Sequence, residues 1–311
     1  MADGWIRGLA RTGPAGLLGT VPPAALVLTG VVSVQVGAGL AARLFSQVPP
    51  AAVTGLRLWT AALLLAVAGA RGLRRSVGDL LRRRAWRDAA VVTAFGLTLA
   101  VMNYSIYQAF ARIPLGIAVT VEFLGPLAVA VAASRRALDA LWVLLAGAGV
   151  ALLTQGGPAG QHVPGQHGTG LNLAGLAFAL VAAASWAAYI LLSAATGRRF
   201  PGSAGLTIAM VVAALAVTPA GIAAGGRALL RPAVLGTGAA IGLLSSIIPY
   251  SLELEVLRRV PPKVFGIWMS LEPAVAALVG LALLGQGLPA RDWAAIGCVT
   301  VASAGAARTA G

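Results

Sequence analysis

Divided at its charged and Pro/Gly-rich breaks, the chain falls into ten apolar runs, at 24–42, 50–70, 89–109, 115–134, 139–156, 172–194, 205–224, 235–255, 264–284 and 291–307. A bilayer core about 30 Å thick needs roughly twenty apolar residues per helix, so each run is predicted to be a transmembrane helix. The stretch from Asn103 to Arg136 holds a turn signal, Arg112-Ile113-Pro114, and then an apolar run interrupted by Glu122 and by Gly125-Pro126. The stretch from Pro249 to Gly280 does nearly the same again. Pro249-Tyr250-Ser251 echoes Asn103-Tyr104-Ser105 at an offset of 146, and Arg259-Val260-Pro261 echoes Arg112-Ile113-Pro114 at 147. Gly205-Leu206-Thr207 follows Gly55-Leu56-Arg57 by 150, and Trp293 follows Trp142 by 151. A nearly constant offset predicts duplication of a five-span unit. Because five is odd, the second copy enters the membrane in the opposite sense, an inverted repeat with its substrate site expected near the midplane. The expected fold is an all-α polytopic membrane protein with ten transmembrane helices as two inverted five-helix repeats. Its parts are a cytoplasmic extension (1–23), the first repeat (24–156), an external Gly/His-rich linker (157–171), the second repeat (172–307) and a short tail (308–311).

Composition agrees with this reading. Hydrophobic residues make up 59% and charged residues only 10% of the 311-residue chain, and mean hydropathy is +0.88, whereas soluble domains carry about 25% charge. The net charge of +14 is not read as nucleic-acid binding, because the arginines lie between apolar runs rather than in a basic patch interleaved with aromatics. It is read as topology. Seventeen of the 23 Lys/Arg fall in the termini and even-numbered loops, five in the odd-numbered loops, and Arg57 within a span. Positive residues are retained in the cytoplasm, so both termini are expected there. Arg7 and Arg11 precede an apolar stretch in the manner of a signal peptide, but that stretch is of full span length and nine more follow. The single Cys298 and the pair His162 and His167 are too sparse for a metal site or a disulfide within the chain. No Walker loop, HExxH or nucleophile-elbow motif occurs, so neither a cofactor nor an enzymatic activity is expected.

Intramembrane ionisable residues are costly and point to function. Arg57 and Glu122 each lie about 10 Å deep from the same side at 1.5 Å per residue, and are expected to form an ion pair. Glu272 faces Thr207, not an arginine, in the matching position, and is the acid expected to exchange protons. The two glutamates are only loosely equivalent: aligning Pro126 with Pro273 sets Glu272 opposite Gly125. Glu253 and Glu255 close the eighth run, where snorkelling or pairing with Arg258, Arg259 or Lys263 is the plain explanation. Pro126, Pro249 and Pro273 each remove a backbone donor, tolerated where protein or a wet cavity satisfies the freed carbonyls. Asn103, Tyr107, Gln108, Trp186, Tyr189, Tyr250 and Gln35 are further candidates for such a cavity, although for the aromatic residues an interfacial belt is the commoner role.

The segments ARIPLGIAVTVEFLGPLAVAVAASRR, LDALWVLLAGAGVALL, SWAAYILL and PYSLELEVLRRVPPKVFGIWMSLEPAVAALVG resemble the threonine/homoserine exporter branch of the EamA-type, drug/metabolite transporter superfamily. The resemblance covers nearly the whole chain. It implies a proton-driven secondary exporter in the inner membrane, with an amino acid as its small-molecule substrate, and it falls on Glu122, Glu272, Pro126 and Pro273. Gln286 departs from the family, which often has a glutamate there. The alternatives are a drug or other metabolite exporter of the same superfamily, and a non-transporting membrane sensor or scaffold.

Overall fold

The computed structural model describes residues 21–83, 85–133, 138–154 and 172–309, and every regular element among them is helical. Prolines set several helix starts, where their missing N–H costs nothing. Helix α1 spans Pro23–Leu44 and α2 spans Pro50–Ala68, each with proline in its first turn. A strongly amphipathic helix, α3 (Ala70–Arg83), follows. It occupies the Arg-rich stretch expected to be a loop: Leu73, Val77 and Leu80 recur at helical spacing among the arginines. Helix α4 then runs unbroken over Trp86–Phe110.

The fourth apolar run is split at Phe123 into α5 (Leu115–Glu122) and α6 (Leu124–Ala133), because Pro126 has no N–H for the preceding turn. Helix α7 (Leu138–Thr154) completes the first half. In the second half, α8 spans Leu173–Gly197 and α9 spans Ala204–Gly225. The eighth run comprises α10 (Pro232–Gly242), a π turn (Leu243–Ile247) and α11 (Ile248–Leu257). The ninth breaks at Ser270-Leu271 between α12 (Pro262–Met269) and α13 (Glu272–Leu284), and α14 (Ala290–Thr309) follows. Gly285, at φ 66°, ends α13 in the left-handed conformation that glycine adopts without strain.

Eight of these helical segments are long and apolar enough to cross a membrane, counting the two halves of each broken run together. The protein is a multi-pass membrane protein. The pairings that enclose the centre are α4 on α8, α2 on α9, α1 on α11 and α13, α5 on α13, and α7 on α14. Small residues permit them: a Cβ on Gly116 would lie 2.6 Å from the Ala277 Cβ, and one on Gly125 would lie 2.1 Å from the Ala183 carbonyl. The expected linker with His162 and His167, most of the N-terminal extension, and Arg135 and Arg136 lie outside the described residues.

Candidate functional site

Pro249 determines the local backbone of the site. It stands four residues after Ser245 and five after Leu244, so it withholds the N–H that an α or a wider register would bring to those carbonyls. The chain widens there into the π turn. Both carbonyls take side-chain donors from the first half instead. Ser33 Oγ donates to the Leu244 carbonyl at 2.7 Å, and Arg57 Nη2 donates to the Ser245 carbonyl at 3.0 Å.

This corrects the expected ion pair of Arg57 with Glu122, which does not occur among the described residues. Ion pairs instead join Arg82 to Asp79, Arg199 to Asp88, and both Arg258 and Arg259 to Glu255. A carbonyl freed inside an apolar segment must be satisfied by protein, and it sits at the negative end of the half-helix α10. That site draws the guanidinium. Arg57 also lies 5.4 Å over the Tyr107 ring.

A cavity of about 470 Å³ lies between the broken helices, within the usual range for ligand sites. Of the residues proposed from sequence, Gln35, Arg57, Asn103, Glu122, Trp186, Tyr189, Tyr250, Glu253 and Glu272 line it, with Pro126 and Pro249. Its lining continues to Ala130, Leu257, Phe265 and Ala307, which lie toward the helix ends on the side of Arg258 and Arg259. At the other end Phe110 covers it, in contact with Tyr107, which packs against Phe45. Beyond them, Gln286 Oε1 accepts from the Leu115 N–H at 2.9 Å, and Arg43 donates from Nε to the Leu283 carbonyl at 2.9 Å.

Three candidates fall outside the lining. Tyr107 is buried behind Arg57. Gln108 accepts from Arg112 Nη1 at 2.6 Å through Oε1, and Arg112 in turn lies over Phe178. Pro273 is buried in the first turn of α13, where its missing N–H needs no partner.

Glu272 is the first residue of α13 and is buried. Its Oε1 accepts from Gln35 Nε2 at 2.9 Å, and neither its Oε2 nor Gln35 Oε1 has a partner among the described residues. A neutral amide stands where a cation would neutralise the acid. Glu253 lines the cavity, whereas Glu255 is held by Arg258 and Arg259. Three glutamates and one arginine thus line the cavity, so it offers carboxyl oxygens beside a guanidinium donor. Two serines were not foreseen: Ser245, whose signal was its place four residues before the helix-interior Pro249, and Ser33, which the fold alone brings to the Leu244 carbonyl. Sequence reasoning also passed over Phe123, which meets Trp186 edge-on at 5.1 Å.

Known proteins resemble this chain across most of its length. Residues 173–307 match the EamA-like transporter family. The threonine/homoserine exporter RhtA of Escherichia coli (strain K12) is 39% identical over 287 residues, 92% of each chain. RhtA of Salmonella typhimurium (strain LT2) is 38% identical over the same shares. A crystallised protein of 20% identity has the same fold, with a TM-score of 0.57 over 91% of this chain and 96% of its own. The chain belongs to the EamA-like transporter family.

Proposed function

We propose that the protein is a secondary active exporter of small polar amino acids of the threonine/homoserine kind, working by alternating access across the inner membrane. The observation that carries this reading is the cavity between broken helices into which Arg57, Glu122, Glu253 and Glu272 bring their charged groups, in a chain that aligns with threonine/homoserine exporters over 92% of its length. In reconstituted vesicles, external unlabelled threonine should accelerate the exchange of trapped labelled threonine. Exchange indifferent to unlabelled threonine and homoserine would sink the reading.

The architecture proposed for it is ten spans in two inverted units, 24–156 and 172–307. Helix pairing supports this. Exchange of the units relates the contact of α4 with α8 to that of α1 with α10 and α11, and the contact of α8 with α5 and α6 to that of α1 with α12 and α13, while the pairs α2–α9 and α7–α14 map onto themselves. Both termini and α3 are placed on the cytoplasmic side, where the cavity lining extends to the ends of α6, α11 and α14. A tag-accessibility map that put α3 outside the cell would overturn this orientation. The proton-coupling group is proposed to be Glu272, whose Oε2 has no partner and which no cation neutralises. Glu272→Gln is expected to abolish proton-driven accumulation while leaving exchange measurable. Full accumulation by that variant would remove Glu272 from the coupling role.

A further inference from the structure

Polar atoms buried without partners inside a membrane protein are costly, so a cluster of them facing one cavity marks a ligand's place. Five such atoms belong to residues that line this cavity: beside the hydroxyls of Ser245 and Ser303, there are three on amide or charged groups, Arg57 Nε, Gln35 Oε1 and Glu272 Oε2. The first is a donor on a fixed cation. The others are acceptors, and they belong to one unit, because Gln35 Nε2 is already given to Glu272 Oε1 at 2.9 Å. That bond leaves the amide oxygen and the second carboxylate oxygen as the pair's two open acceptors. Gln35 and Glu272 are only 1% and 6% exposed, so bulk water does not satisfy them. Arg57 is likewise held: its Nη2 is given to the Ser245 carbonyl and its face lies over Tyr107, and Nε is a buried donor without a partner among the described residues. Ser245 Oγ is also buried without a partner, but it packs against Gly37, where a Cβ would come within 2.2 Å, and it is not counted as a ligand contact.

We propose that Gln35 and Glu272 together form the ammonium subsite for an α-amino acid, and that Arg57 Nε, positioned through the Ser245 carbonyl, forms its carboxylate subsite. The inference deepens the export reading and rests on it. A primary ammonium has three N–H donors, two of which match the two open acceptors. The carboxylate accepts a charge-assisted bond from Nε without displacing Nη2 from Ser245. Gln35 is thus a binding residue in its own right, since it supplies one acceptor and fixes the carboxylate that supplies the other. It also separates substrate classes: a ligand must present both charges, and loss of either one leaves buried groups unpaired.

The test is competition against labelled L-threonine on the purified full-length protein, using 1-amino-2-propanol, which lacks the carboxylate, and 3-hydroxybutyrate, which lacks the ammonium. In the wild type each analogue should compete about tenfold or more weakly than threonine, the factor expected for one hydrogen bond to a charged group. Gln35→Met should weaken threonine and 1-amino-2-propanol by about tenfold and leave 3-hydroxybutyrate unchanged. Arg57→Lys should do the reverse. Should Gln35→Met fail to fold, Gln35→Asn, which keeps the amide but shortens its reach, must give the same ordering. The subsites are overturned if either variant weakens all three ligands by one common factor or none of them, or if 1-amino-2-propanol equals threonine on the wild type. If the wild type binds and exchanges no amino acid, the export reading itself fails, a result distinct from equal losses in the variants.

Discussion

If Arg57 satisfies a carbonyl that Pro249 leaves unbonded, then removing both should cost less than the sum of removing each. Arg57→Met deletes the 3.0 Å bond to the Ser245 carbonyl and leaves that carbonyl buried, a loss of about 1–3 kcal/mol. The contact with the Tyr107 ring, 5.4 Å from the guanidinium carbon, adds about 0.5–2 kcal/mol. Pro249→Ala returns an N–H four residues after Ser245, which can close the turn in α register and take over the carbonyl. In that background Arg57→Met loses only the ring contact and the side chain's packing. The coupling in a double-mutant cycle should therefore be about 1–3 kcal/mol, the part belonging to the carbonyl. The measurement is equilibrium unfolding of the detergent-solubilised protein in SDS, followed by circular dichroism, for wild type, both single variants and the double variant. Arg57→Lys provides a further point: it keeps a cation of similar length and should retain more of the stability than Arg57→Met. Additivity within about 0.5 kcal/mol, the spread expected of independent sites, would refute the account of the break.

Three other substitutions probe the closures around the cavity. Gly125→Ala places a Cβ about where the Ala183 carbonyl oxygen lies, 2.1 Å away, and since backbone cannot swing aside it should lower stability by about 1–3 kcal/mol in the same titration. Gln286→Leu removes the acceptor of the Leu115 N–H and should cost about 1–3 kcal/mol, whereas Gln286→Glu keeps an acceptor oxygen and should cost less; equal losses would show that the bond is not the cause. Asp88→Asn breaks the ion pair with Arg199, whose side chains are 41% and 36% exposed, and should shift stability by less than about 1 kcal/mol.

Eight of the ten expected spans were legible because the bilayer demands a fixed length of apolar chain, and the runs around Pro126 and Pro273 showed where helices would break. The helical state of α3 was not read, since seven arginines between Arg71 and Arg87 look like a solvated loop when only charge is weighed. The partner of Arg57 was misread for a related reason. Sequence offers charged side chains as candidates for pairing, and Glu122 was the visible one, but the groups that took the guanidinium and the Ser33 hydroxyl are backbone carbonyls. Pro249 showed that carbonyls would be freed, but which donors meet them is set by the packing of distant helices. Gln108 was drawn into the cavity by its polarity, yet Arg112 one turn later holds it. Gln35 was noticed as polar in an apolar run, but its bond to Glu272 spans 237 positions and depends on α1 packing against α13.

The same carbonyl position explains why the two proposed units differ. At the offset of 146, Asn103 stands for Pro249 and Leu99 for Ser245. Asn103 Nδ2 donates to the Leu99 carbonyl at 2.8 Å, so in the first unit the extra donor comes from within the helix, and α4 runs straight through. In the second unit the donor at that carbonyl is Arg57, from the opposite unit, and the helix is interrupted. Thr207, which stands where Arg57 does, donates to the carbonyl of Ser203 at the start of its own helix. On the proposed duplication, the segment is self-sufficient in one unit and dependent on the opposite unit in the other. A helix whose hydrogen bonds are internal moves as a rod, whereas one completed by a neighbour can bend when that neighbour shifts. The segment that bends carries Tyr250 and Glu253, and the residue that completes it is the one proposed to receive the substrate carboxylate. Binding and bending then meet at Arg57, which makes the joint of α10 and α11, rather than the breaks at Phe123 or Ser270, the place where substrate is expected to bias the exchange between states.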